Sequence, residues 1–224
     1  MNTGIVIAIA ELYFYFIVSY DIRNFFPRLK KIDNISYYWL TMTILTLIWE
    51  TSFIFNYNKV CDMSSDLILK NEHVWTNTYP ILSILPNKLA VIFYAEYGAY
   101  ADREYMLDSG HWSRVIEGTH AYLCGIFAIL SLYCKHKKMN KEHLIMTSIS
   151  MGNQLMNSIL YMSNYFIQVY DKDNVNYSRP NFPAGVLLYK RPFMYVNIFW
   201  TLMPSYVLYR LIEDNQLRKK IFLK

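Results

Sequence analysis

Two acidic residues lie inside stretches of the chain that are otherwise apolar. Glu50 and Glu117 each sit near the middle of a run long enough to cross a bilayer. A carboxylate at that depth is costly unless it is paired or functional. The two glutamates therefore mark where the chemistry is expected. Glu11, in the first apolar run, is expected to lie nearer the outer interface.

Other polar residues share a helix face with these acids or form similar pairs elsewhere. Positions three or four apart lie on one face of a helix. Such pairs are Thr46 with Glu50, Glu117 with His120, Gln154 with Ser158, and Asn197 with Trp200. Polar faces on four helices predict a bundle with an interior polar-lined cavity, because polar groups facing lipid are penalised. The alternative is that these residues only join helices through hydrogen bonds.

Composition and spacing predict an all-α integral membrane protein. Of the 224 residues 54% are hydrophobic and 17% aromatic, and the charges fall between long uncharged runs. Each run is close to the length of about 20 residues that a transmembrane helix needs. We expect one domain over 1–224, a five-helix bundle with spans at about 4–20, 36–57, 112–134, 143–168 and 190–211.

The connections between the runs carry an orientation signal. Clusters of Lys and Arg follow the first, third and fifth runs, and such clusters mark cytosolic loops. The N-terminus is then lumenal and the C-terminus cytosolic. The loop 58–111 is lumenal and holds a semi-apolar segment, 81–105, expected to form an interfacial helix. Basic residues beside apolar runs serve orientation, so no nucleic-acid partner is expected.

Metal and cofactor sites are not expected. The cysteines Cys61, Cys124 and Cys134 have no metal-ligand spacing, and the five histidines have none with one another. The seven glycines form no phosphate-binding pattern. The chemistry must then come from side chains alone.

An ordered set of motifs resembles the emopamil-binding protein family, the sterol Δ8–Δ7 isomerases, whose fold is shared by the sigma-2 receptor relatives. Asn197-Ile-Phe-Trp200-Thr-Leu-Met-Pro204 is similar to the family's Asn-x-x-Trp-x-x-x-Pro signature. Asp102, in Ala99-Tyr-Ala-Asp102, and Glu117, in Val115-Ile-Glu117-Gly118, fall in similar segments. Gln154 with Leu160-Tyr161 resembles the fourth-helix pattern, and Trp49-Glu50 matches the second-helix glutamate.

Three positions depart from the family pattern. Thr46 stands where the family has a histidine one turn before the second-helix glutamate. Ser158 replaces an aspartate, and Ile126 replaces a proline. A glutamate without its histidine needs another hydrogen-bonding group, and His120 is the substitute we expect.

The resemblance implies a cofactor-free isomerase that moves a double bond in a sterol or related polycyclic terpenoid. Neutral carboxylic acids in an apolar cavity suit protonation of an alkene, and an aromatic face suits the cation that follows. Glu50 is the expected proton donor, Trp200 the cation stabiliser and Asn197 its orienting neighbour, with Glu117 and Asp102 relaying the proton. The residues expected to bind substrate are Thr46, His120, Gln154, Ser158 and Tyr161.

The resemblance also implies an endoplasmic reticulum membrane location and binding of cationic amphiphiles. Two other functions stay open. One is a non-catalytic receptor or regulator on the same scaffold, which the threonine at position 46 favours. The other is an acid-initiated membrane terpenoid cyclase. The oligomeric state is open too, with a homodimer among the alternatives.

Overall fold

A computed structural model describes the backbone of residues 2–102, 110–168 and 192–222, and most of it is helical. Two short strands pair with each other, and seven α-helices and two short 3-10 helices, Pro27–Lys31 and Ile81–Ile84, form the other described elements. In chain order these elements are β1 (Asn2–Thr3), α1 (Gly4–Phe25), α2 (Asn34–Phe55), α3 (Tyr57–Lys70), β2 (Thr78–Tyr79), α4 (Pro86–Tyr100), α5 (Gly110–His136), α6 (Asn140–Gln168) and α7 (Pro192–Phe222).

Three of the described helices are long and apolar enough to cross a membrane. They are α1, α2 and the part of α5 from Arg114 to His136. This result indicates membrane association. Each of the five predicted spans overlaps one of the helices α1, α2, α5, α6 and α7, although α6 and α7 are more polar over their described lengths.

Helix α1 has its polar side inward and its apolar sides outward. Its buried positions follow one stripe with a spacing of three or four residues: Gly4, Ile7, Glu11, Tyr15 and Ser19. The remaining surface is exposed and strongly apolar, with Tyr13 68% and Ile9 61% exposed. An apolar exposed surface of this extent is unfavourable in water and natural in lipid.

Sequence signals set the boundaries of α2 and α4. The Asp33 side chain caps α2 by accepting a hydrogen bond from the Ser36 backbone N–H at 3.0 Å. Helix α4 begins with Pro86, whose fixed φ suits a first helical residue and whose missing N–H would be unsatisfied there. Helix α3 ends at Asn71, which adopts a left-handed conformation with φ 52°.

Helices α2 and α5 approach each other closely at two glycines and run antiparallel. A Cβ on Gly118 would lie 2.2 Å from Ile54, and one on Gly125 would lie 2.5 Å from Leu47. Small residues at such points let two backbones pack tightly inside a membrane. Helix α6 packs beside α5, and α7 packs against α6.

The predicted lumenal loop 58–111 contains two helices where one interfacial helix was expected. Helix α3 was not predicted, and α4 begins at Pro86, inside the predicted segment 81–105. Helix α4 is apolar on nearly all sides, and nine of its fifteen residues are buried. A helix of this composition packs inside a protein rather than lying on a bilayer surface. It packs against α2 and α3, and Ile7 of α1 covers another side.

The segment between α3 and β2 fastens the start of α1 to the rest of the protein. Strand β1 pairs antiparallel with β2, and the Gly4 N–H donates to the Asn77 carbonyl at 3.0 Å. A Cβ on Gly4 would lie 2.1 Å from the Val74 carbonyl oxygen, so only glycine fits. The Val74 N–H in turn donates to the Glu96 carboxylate on α4 at 3.0 Å.

Candidate functional site

The first part of the site is an acid–tyrosine pair where α4 crosses α2. The Tyr94 hydroxyl of α4 donates a short hydrogen bond to the Glu50 carboxylate of α2. Nearby, the Ser52 hydroxyl donates to the Asn87 carbonyl, which fixes the crossing point. Tyr94 is 8% exposed and Glu50 is half-buried, so this hydrogen bond is partly shielded from solvent.

A second acid–tyrosine group, made by Asp102, Tyr161 and Tyr97, lies near the end of α4. The Tyr161 hydroxyl of α6 donates to the Asp102 carboxylate at 2.6 Å. The same hydroxyl contacts that of Tyr97 on α4 at 2.7 Å. Asp102 is 2% exposed. Tyr94 and Tyr97 are three residues apart and share a face of α4, so this short helix presents both acid–tyrosine groups to its neighbours.

Aromatic rings surround the two acid–tyrosine groups. The Trp49 ring lies 5.8 Å from that of Phe93, and Phe93 stacks on Tyr97 at 6.5 Å. Phe53 packs on Tyr94 at 4.9 Å. Aromatic faces attract cations, most strongly where water is excluded. The Tyr94 ring, whose hydroxyl bonds to Glu50, and the Phe53 ring packed on it are therefore able to stabilise positive charge near the acid.

Glu11 is a further buried acid at this place. Its carboxylate accepts a hydrogen bond from the Trp49 indole N–H at 2.9 Å, and the residue is only 2% exposed. The other oxygen, Oε2, is buried and has no hydrogen-bond partner within the part of the chain that the structure describes. The buried stripe of α1 carries the Glu11 side chain against α2, and its position near the outer interface of the membrane stays a prediction.

One face of α6 connects several of the residues predicted from the sequence. Gln154, Ser158 and Tyr161 follow each other at helical spacing and point to the same side. The Trp39 indole donates to Gln154 at 2.7 Å, and the Ser158 hydroxyl donates to the Trp200 carbonyl at 3.2 Å. Asp102, Tyr161, Ser158 and Trp200 are thereby linked through one helix.

Trp200 and Glu50 contact different groups. The Trp200 ring packs 4.7 Å from that of Trp39, a residue that sequence reasoning missed. Trp39 precedes Glu50 by eleven residues on α2. A rise of 1.5 Å per residue separates the two positions by about 16 Å along the helix axis. The described contacts thus place the tryptophan pair and the Glu50–Tyr94 pair at different levels of the bundle.

The hydrogen-bond partner of Glu50 differs from the one expected. Tyr94 makes this bond, whereas both ring nitrogens of His120 are buried without a partner among the residues that the structure describes. The prediction that His120 takes the role of the missing histidine is therefore wrong. The Thr46 hydroxyl donates to the Thr43 carbonyl of its own helix at 2.9 Å. A signal for Tyr94 existed in the sequence, since α4 carries tyrosines at helical spacing.

Asn197 and Glu117 are the remaining two residues of the predicted site. Asn197 lies on α7 one turn before Trp200, and its carbonyl accepts a hydrogen bond from Thr201 at 2.9 Å. Glu117 lies in α5, but its side chain is outside the described residues, so its place relative to Glu50 stays a prediction. Within the described ranges, no three His, Cys, Asp or Glu residues form a group that could hold a metal ion.

Comparisons with known proteins return no match for this chain among protein-family models, curated proteins or solved structures. We therefore infer the function of this protein from the residues described above.

Proposed function

We propose that this protein is a cofactor-free membrane isomerase that moves a carbon–carbon double bond in a sterol or related polycyclic terpenoid. The observation that supports it best is the pair of partly buried acid–tyrosine groups, Glu50–Tyr94 and Asp102–Tyr161–Tyr97, whose α4 tyrosines are one helical turn apart. A double-bond shift needs one group that gives a proton and another that accepts one. Two separate acids in an aromatic environment can supply both.

In the proposed mechanism Glu50 protonates one alkene carbon, and the π electrons form the new C–H bond. The neighbouring carbon becomes a cation, which the rings of Trp49, Phe93 and Tyr94 stabilise. A second carboxylate, Asp102 or Glu117, then removes a proton from the adjacent carbon, and that C–H electron pair forms the new double bond. The proton returns to Glu50 before the next turnover. Substrate and product have the same composition, so no co-reactant is required.

The proposed setting is a five-span bundle in the endoplasmic reticulum membrane, with an interior cavity at the acids. The N-terminus is lumenal and the C-terminus cytosolic in this arrangement. The three long apolar helices and the Lys and Arg clusters after the first, third and fifth runs support it. Protease treatment of sealed microsomes should cleave the tail after Arg210. A tail protected from the protease would contradict a cytosolic C-terminus.

The activity is tested by sterol analysis of a host strain that lacks its own isomerase and expresses this chain. Conversion of the accumulated Δ8 sterol to the Δ7 isomer is expected with the wild type and lost with Glu50→Gln. Asp66→Asn is a control, since its carboxylate is exposed on α3. An unchanged sterol profile with well-expressed wild-type protein would overturn the proposal for this substrate.

A non-catalytic receptor for sterols or cationic amphiphiles is the second candidate. The observation that favours it is the residue one turn before Glu50, which is Thr46 and not a histidine. The Thr46 hydroxyl bonds to its own helix. Both functions predict binding of an apolar amine, because its cation would lie among the acids and rings. Only the enzyme converts sterol, so binding without conversion would select the receptor.

A further inference from the structure

A groove of about 390 Å³ lies between the end of α2, the start of α4 and α5. Its apolar end is formed by Leu47, Ile48 and Tyr122, and its polar end by Asn56 and Asn87. Glu50, Asp102 and Glu11 are not among the residues that line it. Leu47 and Asn56 are nine residues apart, about 13 Å along the axis of α2. The two amides therefore lie at one end of the groove, beside the apolar ring of Phe55.

The rim of the groove is apolar and open to the outside. Phe55 is 80% exposed, Tyr122 43% and Ile48 42%. These side chains belong to α2 and α5, two of the helices able to cross a membrane. The polar end coincides with the end of α2, where Asn56 follows the last helical residue. A molecule entering from lipid would thus place its body beside Ile48 and its head beside Asn56.

The polar residues of the groove determine which polar group of a ligand fits there. Among the described residues that line the groove, none carries a charge. The Ser52 and Thr51 hydroxyls are engaged with backbone carbonyls, of Asn87 and Leu47 respectively. The Asn56 amide N–H donates to the Ser52 carbonyl at 2.8 Å, which leaves its oxygen as an acceptor. The exposed Asn87 amide offers donors and an acceptor. A hydroxyl, which both donates and accepts, fits these two amides, whereas an ionic head would lack a counter-charge.

We propose that this groove binds an uncharged lipid alcohol with a rigid polycyclic body, its hydroxyl between Asn56 and Asn87 and its body against Leu47, Ile48 and Tyr122. A rigid body suits a short groove because it loses little conformational freedom on binding, whereas acyl chains lose much more. The inference goes beyond the proposed function, because this site is separate from the acids and requires no turnover.

The test uses the full chain in phosphatidylcholine nanodiscs that contain a diazirine-bearing sterol. After irradiation, the labelled residues are mapped by mass spectrometry. Label is expected at groove residues such as Leu47, Ile48, Phe55 and Tyr122, and unlabelled sterol should compete it away. Label confined to Trp49, Glu50 and Phe53 would instead indicate the acid site and would overturn the proposal. The 3-O-acetyl sterol should compete poorly, since it cannot donate. Asn87→Ala should weaken competition about fivefold, the effect of one neutral hydrogen bond.

Matched variants separate a site from general contact with lipid. Tyr122→Trp places a larger ring in the groove and should abolish the label there. Tyr133→Trp makes the same change at an exposed position of α5, 54% exposed and outside the groove, and should have no effect. Glu50→Gln should label like the wild type even if it has lost all turnover. Label spread evenly over the exposed face of α1, or equal labelling by a diazirine-bearing phosphatidylcholine, would overturn the proposal.

Discussion

Removing one hydroxyl group, in Tyr161→Phe, tests whether the acid–tyrosine network holds α4 and α6 together. The phenylalanine keeps the ring and its packing but loses the bonds to Asp102 at 2.6 Å and to Tyr97 at 2.7 Å. A hydrogen bond to an ionised group contributes about 1.5–3 kcal/mol and a neutral one about 0.5–1.5 kcal/mol. We therefore expect the free energy of unfolding to fall by about 2–4 kcal/mol, because Asp102 is buried and loses a donor.

The measurement is equilibrium unfolding in dodecylmaltoside micelles by added sodium dodecyl sulfate, followed by circular dichroism. Tyr97→Phe and the double variant complete a cycle, and the two substitutions should couple by about 0.5–1.5 kcal/mol, because they share one hydrogen bond. Tyr13→Phe is the control, since Tyr13 is 68% exposed on the lipid-facing side of α1. A Tyr161→Phe protein within about 0.5 kcal/mol of the wild type, or strictly additive effects, would refute the network as a stabilising element.

The remaining predictions concern the proton donor, the fastening of α1 and the lumenal segment. Glu50→Gln should abolish turnover and leave amine binding within about twofold, because the amide keeps the shape but has no transferable proton; comparable turnover in the variant would remove Glu50 as the donor. Gly4→Ala should destabilise the protein by about 1–3 kcal/mol, since its Cβ meets the Val74 carbonyl. Gly152→Ala, with nothing within 4 Å, should stabilise it by roughly 0.5–1 kcal/mol, and equal effects would contradict the packing. Burial raises the pKa of the Tyr79 phenol, so its contribution to stability is full below about pH 10 and is lost as the pH rises further. Tyr79→Phe should therefore flatten the loss of stability above about pH 10, and an unchanged slope would exclude this residue.

Local patterns were sufficient for the helices but not for their arrangement. The apolar runs indicated α1, α2 and α5 because each helix is long and apolar by itself, and the three-residue and four-residue spacing indicated the shared face of Gln154 and Ser158. Helix α3 was missed because it is mostly polar, so its sequence shows no span.

The partners of the polar residues depend on packing between distant parts of the chain. Glu50 meets Tyr94 44 residues later, and Trp39 meets Gln154 115 residues later. The sequence offers several candidates for each bond, and only the crossing of the helices selects one. The choice of His120 followed from its position on the same face as Glu117, and this spacing could not reveal that α4 inserts a tyrosine beside α2 instead.

The fastening of α1 has a consequence for the order of events during synthesis. Glu11 is bonded to Trp49, 38 residues later in the chain, and the start of α1 is bonded to Asn77. At a synthesis rate of about 5–20 residues per second, the first contact can form no earlier than roughly 2–8 seconds after Glu11 is made, and the second no earlier than roughly 4–15 seconds after the helix begins. During that interval the nascent first helix has to remain in the membrane with its acid unpaired. The newly made chain is therefore most susceptible to cleavage by membrane quality-control proteases before residue 77 has emerged. It is least susceptible once β1 has paired with β2.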